Sequence, residues 1–151
     1  MDWKYIAGFF DGEGSISHNG RGYRITIPQT NLEVLEIIKD FCGFGGTISV
    51  TKRKSHWKDS WIFYVASQRE VYNFLSHIFP YLIVKKRITD NAISDLTHYI
   101  NEKDSYDKKR GVMFDRAAKL RLKGMSYRKV AKKIGVDWGY LRRILLKRGI
   151  H

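Results

Sequence analysis

A chain of 151 residues that is 43% hydrophobic and carries a formal charge of +13 has room for one domain, or one with a small appendage, and its basicity points to a polyanionic partner. Its apolar runs reach only four to six residues, which excludes a membrane span, and its amino terminus lacks the layout of a signal peptide. The single cysteine, Cys42, excludes an internal disulfide and a cysteine-cluster zinc site; it reads as a small core residue in a reducing, intracellular setting.

The charge is unevenly spread. Residues 1–102 hold 12 Lys/Arg against 11 Asp/Glu, whereas residues 103–151 hold 16 against 4. A nearly neutral body is followed by a strongly basic region, which predicts two domains.

In chain order, residues 2–10 predict a short helix. Ser15–Ser17 and Tyr23–Ile27 predict two strands around the turn-rich HNGRG. TNLEVLEIIKDFCG predicts an amphipathic helix capped by Thr30 or Asn31 and ended by Gly43, with Leu32, Leu35, Ile38 and Phe41 as its buried stripe. GTISVTKRK and WIFYVAS predict a second strand pair. Two more amphipathic helices follow, REVYNFLSHIFPYL, stopped near Pro80, and TDNAISDLTHYINE. Hairpins imply antiparallel pairing, so the body reads as α+β, with a sheet covered by helices on one face and free on the other.

EKDSYDKKRG, residues 102–111, lacks apolar periodicity and reads as a linker or a frayed helix end. Residues 112–151 then predict three short helices. Gly124 ends the first, Ser126 caps the second, Gly135 makes a tight turn and Asp137 caps the third. That order is a helix-turn-helix, similar to those of resolvases and phage regulators. Its last helix would present Trp138, Tyr140, Arg142 and Arg143 to a major groove.

The stretch YIAGFFDGEGSI sets two carboxylates, Asp11 and Glu13, among three glycines after an apolar run. IAGFFDGEG resembles the motif that names the LAGLIDADG homing endonucleases. Ala7, Gly8, Asp11 and Gly14 match, Ile6, Phe9 and Phe10 fill apolar positions, and Gly12 and Glu13 replace an alanine and an aspartate. GSI after the motif and PYLIVKK at residues 80–86 add to the likeness, which covers about residues 3–100 in element order.

The resemblance implies a LAGLIDADG core over 1–101; the composition and caps above place a linker over 102–111 and the helix-turn-helix over 112–151 after it. The core would be an antiparallel sheet saddle with helices on one face. The resemblance also implies a homodimer, because one chain carries one motif. Ala7, Gly8, Phe9 and Gly12 would form its seam, with Gly8 and Gly12 four apart on one helix face. The implied activity is hydrolysis of both strands of DNA at a long, roughly palindromic site. Glu13, Gln29 and Lys85 would be catalytic, with Lys86 a near competitor of Lys85, and Asp11 would be structural. Glu13 and the Gly12 carbonyl, at a helix end rich in unpaired carbonyls, would hold Mg²⁺. Mn²⁺ would substitute, and Ca²⁺ would bind without supporting cleavage.

On the free sheet face, alternation points Arg24 and Thr26 outward. Thr47, Ser49, Thr51 and Arg53 would also point outward, with Ile48 and Val50 inward; Lys54 would grip phosphate and Tyr64 would lie outward. The alternative is a non-cleaving DNA-binding regulator or an intron-RNA maturase on the same fold. The retained Asp11 and Glu13 favour the nuclease, with double-stranded DNA as partner in preference to RNA.

Overall fold

The computed structural model describes residues 1–50 and 58–151. The chain forms two compact units, residues 1–100 and 101–151.

The first unit opens with helix α1 (Trp3–Glu13), followed by strands β1 (Ser15–His18) and β2 (Tyr23–Gln29) and helix α2 (Leu32–Cys42). Strands β3 (Gly46–Ser49) and β4 (Trp61–Val65), helix α3 (Gln68–Ile78) and a single 3-10 turn (Phe79–Tyr81) come next. The strands form one antiparallel sheet in the order β1-β2-β4-β3. The turn-rich HNGRG is a tight hairpin, with Gly20 and Gly22 at positive φ. A Cβ on Gly22 would strike the Gln68 carboxamide.

Hydrophobic alternation fixes which sheet face is covered. Ile25 and Ile27 of β2 pair with Val65 and Phe63 of β4, and all four are fully buried. They meet Ile6, Ala7 and Phe10 of α1, Leu35 and Ile38 of α2, and Val71, Phe74, Leu75 and Ile78 of α3. Burying such side chains contributes about 1.5–3 kcal/mol each, so this layer supplies most of the unit's stability. Asn31 caps α2 and Gly43 ends it at φ 71°. Leu32 and Phe41, expected in the buried stripe of α2, lie more than a third exposed at its two ends, with the Phe41 ring edge-on to Trp3 of α1 at 5.1 Å.

Helix α4 (Lys86–Leu122) runs through 37 residues. Residues 102–111, expected as a linker or frayed end, are helical throughout. The segment has no proline, is rich in helix formers, and places Asp104 and Lys108 four apart, so it holds a helix without an apolar face. Of α4's residues in the first unit, Ala92 and Leu96 join the core.

In the second unit, the last part of α4 packs with α5 (Tyr127–Ile134) and α6 (Trp138–Lys147). Phe114, Ala117, Val130, Ala131, Leu141 and Leu145 form its core. Ser126 caps α5 by accepting from the Lys129 N–H, and Gly135 ends it at φ 76°. Asp137 then caps α6, accepting from the Tyr140 N–H at 2.7 Å. No helix among the described residues is long and apolar enough to cross a membrane.

Candidate active site and nucleic-acid interface

Helix α1 divides its residues by face. Ile6, Ala7 and Phe10 point into the core, whereas Tyr5, Gly8, Gly12 and Glu13 are exposed. A Cβ on Gly8 or Gly12 would meet nothing within 4 Å. Gly14 is the opposite case, because its Cβ would lie 2.0 Å from the Phe10 ring. The first two glycines therefore leave an open strip along the helix, and the third lets the chain pass beneath a buried ring. Of the residues expected at a dimer seam, Gly8 and Gly12 lie on this strip. Phe9 is half-buried and stacks on Tyr5 at 6.0 Å. Ala7 does not lie there: it is fully buried on the inward face with Ile6, one helical step from Gly8.

The carboxyl end of α1 is tied to the start of α4. Asp11 Oδ2 accepts from the N–H of Ile83 at 2.7 Å and of Val84 at 3.2 Å, and Oδ1 accepts from the N–H of Lys85 at 2.9 Å. The Asp11 carboxylate thus caps three consecutive amides, the structural role expected for it. Burial works to raise its pKa, but these hydrogen bonds and the Lys85 charge outweigh that and hold it below the ordinary carboxylate value. The Lys85 ammonium donates back to the Asp11 carbonyl. That seats a cation on the negative end of the α1 dipole, two residues from Glu13. Lys86, its sequence neighbour, lies instead over the Phe79 ring at 5.3 Å.

Glu13 is exposed in the last turn of α1, where a helix end disfavours a carboxylate and favours a cation beside it. The donors that Glu13 and Gly12 offer there are all oxygen and face solvent, which fits a hard divalent ion with open positions. Among the described residues no three His, Cys, Asp or Glu side chains converge.

Gln29 lies at the same end of the β1–β2 ladder, three residues beyond Thr26, which pairs with Ser15. Alternation turns it to the helix-covered side with Ile25 and Ile27. Its Oε1 accepts from the Thr30 N–H at 2.7 Å.

The uncovered sheet face carries Arg24, Thr26 and Tyr64, as expected. Thr26 pairs with Tyr64, and the Arg24 guanidinium lies 5.9 Å from the Tyr64 ring centre. Strand β3 reverses the expected faces. Thr47 pairs with buried Phe63 and its hydroxyl donates to Glu36 of α2, so it faces the helices, and alternation sends Ser49 the same way. Ile48 is half exposed opposite Ile62 on the free face, and Val50 is 39% exposed. At the Gly45–Gly46 entry to the strand the Tyr64 ring lies over Gly46, on the free face with Ile48. At this sheet edge the helix layer offers a carboxylate rather than an apolar side chain. Thr51, Arg53 and Lys54 lie outside the described residues.

Sequence reasoning missed Ser15 and Ser17, which pair with Thr26 and Arg24 on the free face; Ser15 Oγ lies 2.7 Å from Thr26 Oγ1. The alternation of Ser-Ile-Ser-His was the available signal. It also missed Ile83 and Val84, which are 86% and 77% exposed above the Asp11 cap.

In the second unit Trp138, Arg142 and Arg143 are exposed on α6, and the Arg128 guanidinium lies 5.3 Å from the Trp138 ring centre. Tyr140 is not on that outer surface. It is half-buried, packs edge-on against Phe114 at 5.9 Å and accepts a 2.6 Å hydrogen bond from Arg110.

A family model described as a LAGLIDADG-like domain matches residues 2–78. No curated protein matches the chain by sequence. Among solved structures, the homing endonuclease I-CvuI in complex with its target is 19% identical, with a TM-score of 0.52 over 99% of this chain and 95% of that one. The archaeal intron-encoded homing endonuclease I-Vdi141I, complexed with DNA, is 22% identical, with a TM-score of 0.52 over 99% and 97%. The LAGLIDADG meganuclease I-AabMI, bound to uncleaved DNA, is 21% identical, with a TM-score of 0.55 over 68% of this chain and 39% of that one. At these identities the likeness is one of fold. The motif on α1, the antiparallel sheet with one free face and a family model spanning more than half of the sequence agree: this chain belongs to the LAGLIDADG family.

Proposed function

We propose that this protein is a site-specific DNA endonuclease that works as a homodimer and hydrolyses both strands of a long, roughly palindromic site with Mg²⁺. The observation that carries this reading is the exposed end of α1, where Glu13, the Gly12 carbonyl and a Lys85 ammonium anchored on Asp11 lie together beside an open glycine strip.

A helical glycine costs about 1 kcal/mol relative to alanine. Gly8 and Gly12 gain nothing for this cost within the chain, since open space surrounds them. Close approach by α1 of a second copy is what would use it. The exposed Ile83 and Val84, next to the same helix end, extend that apolar strip. Pairing of two copies would bring two Glu13 carboxylates to one place, one for each DNA strand.

Glu13 and Gly12 would hold the divalent ion, which when bound supplies electrophilic activation of the scissile phosphate and of a water. Lys85 places a fixed positive charge for the charge that develops on phosphate oxygen. Gln29 would orient water from the strand end. Arg24, Thr26, Tyr64, Ser15 and Ser17 would meet base edges and phosphates on the free sheet face. The structural relatives seen with DNA, I-CvuI and I-Vdi141I, support that assignment. In the second unit, α5 and α6 would act as a helix-turn-helix, with Trp138, Arg142 and Arg143 of α6 on the groove.

The test is selection and cleavage of a randomised duplex library with Mg²⁺, comparing wild type with Glu13→Gln. The expected result is one roughly palindromic site, cut by wild type and bound but uncut by Glu13→Gln. A wild type that enriches a site and never cuts it in Mg²⁺ or Mn²⁺ removes the nuclease reading.

A further inference from the structure

The second unit holds a cleft of about 370 Å³ lined by Tyr106, Lys109, Arg110, Met113, Val136 and Tyr140. The four α4 residues lie at i, i+3, i+4 and i+7, one helix face, so the cleft is written into the sequence as a stripe. Val136 and Tyr140 close it from the α5–α6 turn and the first turn of α6.

Its chemistry is two-sided. Met113, Val136 and the Tyr140 ring give apolar walls, and Lys109 and Arg110 give two cations, with no carboxylate in the lining among the described residues. Arg110 is held in place: one of its guanidinium nitrogens donates to the Tyr140 hydroxyl at 2.6 Å, and its plane lies 5.8 Å from the Phe114 ring centre. The Arg143 guanidinium lies 5.8 Å from the same Tyr140 ring. A guanidinium fixed at one corner keeps its other N–H groups available in a set direction, which suits phosphate oxygens.

We infer that this cleft is a seat for a nucleotide phosphate and its sugar, with the phosphate on Lys109 and Arg110 and the sugar carbons against Met113, Val136 and Tyr140. It rests on the reading that the second unit grips DNA. It adds to that reading a backbone anchor on the first helix of the unit, apart from the exposed residues of α6. A backbone anchor fixes the position of the recognition helix and carries no sequence information itself.

The test uses the full chain and a random-sequence duplex, with affinity measured across salt concentrations. Lys109→Ala should weaken binding several-fold and lower the log–log salt slope by about one. Lys108→Ala removes the same charge from the neighbouring residue, outside the cleft, and should do much less. Equal effects of the two overturn the seat, because they mark bulk charge alone. If Arg142→Ala with Arg143→Ala lowers the slope and Lys109→Ala does not, the seat falls while DNA binding by the unit stands; if neither does, both fall.

A labelled Met113 methyl group gives a second readout. A resonance shift on adding duplex supports a backbone occupant. A shift with thymidine 5′-monophosphate alone supports the same seat filled by a free nucleotide. A resonance unmoved by both overturns the assignment.

Discussion

The carboxylate of Asp11 accepts the backbone N–H of Lys85 at 2.9 Å, and the ammonium of Lys85 returns to the carbonyl oxygen of Asp11. Each residue satisfies the helix end that the other belongs to. The Asp11 charge meets the positive start of α4, and the Lys85 charge meets the negative end of α1. This exchange holds the Lys85 cation of the proposed active site in place.

Asp11→Asn should therefore lower stability by about 1.5–3 kcal/mol, the range for hydrogen bonds to a charged group. Its pH signature follows from the lowered pKa. A carboxylate with a folded pKa below its unfolded value contributes stability at pH above the unfolded value and loses it as pH falls through the folded one. Urea unfolding at pH 7 and at pH 3 should show the gap between wild type and Asp11→Asn shrinking in acid. A gap of the same size at both pH values would contradict the capping role.

Three glycines of one motif should respond in opposite directions. Gly8→Ala and Gly12→Ala meet open space and should raise the stability of the isolated chain by up to about 1 kcal/mol each. Gly8→Ala should also weaken self-association, measured by sedimentation. Gly14→Ala drives a methyl group into the Phe10 ring and should destabilise the chain by about 1–3 kcal/mol, the range for overpacking. Association that survives Gly8→Leu with Gly12→Leu would place the dimer contact elsewhere.

Replacing both Arg142 and Arg143 by alanine should weaken DNA binding and reduce the salt slope by about two, near one for each phosphate neutralised. Tyr140→Phe should act differently. It removes the Arg110 hydrogen bond inside the unit and should cost about 1 kcal/mol of stability. Thermal unfolding separates the two, since the arginine pair should leave the midpoint nearly unchanged.

The Cys42 thiol is half-buried, and burial pushes its pKa up to about 12. Its reaction with a disulfide reagent at pH 8 should be slow in the native chain and fast in urea. The native rate should keep rising with pH beyond 9 rather than levelling off. A plateau near pH 9 would mean an accessible thiol of ordinary acidity.

Much of this molecule was written locally. The α1 motif, the Asn31 cap, the Gly43 and Gly135 helix ends and the Ser126 and Asp137 caps depend on one residue's conformational preference or on hydrogen bonds a few positions away. The inward face of β2 was legible too, because Ile25 and Ile27 alternate with Arg24 and Thr26, whereas β4 is apolar or aromatic at every position from Trp61 to Val65 and alternation alone left its facing less clean. What only the tertiary structure decided concerns partners distant in sequence. The faces of β3 depend on Glu36 waiting above Thr47 and on the Tyr64 ring over Gly46, neither of which lies in the strand. Tyr140 turns inward because Arg110 and Phe114, 30 and 26 positions away, receive it. Ala7 is buried in the core rather than set on the open glycine strip because a helix gives neighbouring residues different faces, and the position of the sheet chooses between them. Propensity and capping act over a few residues, whereas facing and pairing are set by whatever the fold brings opposite.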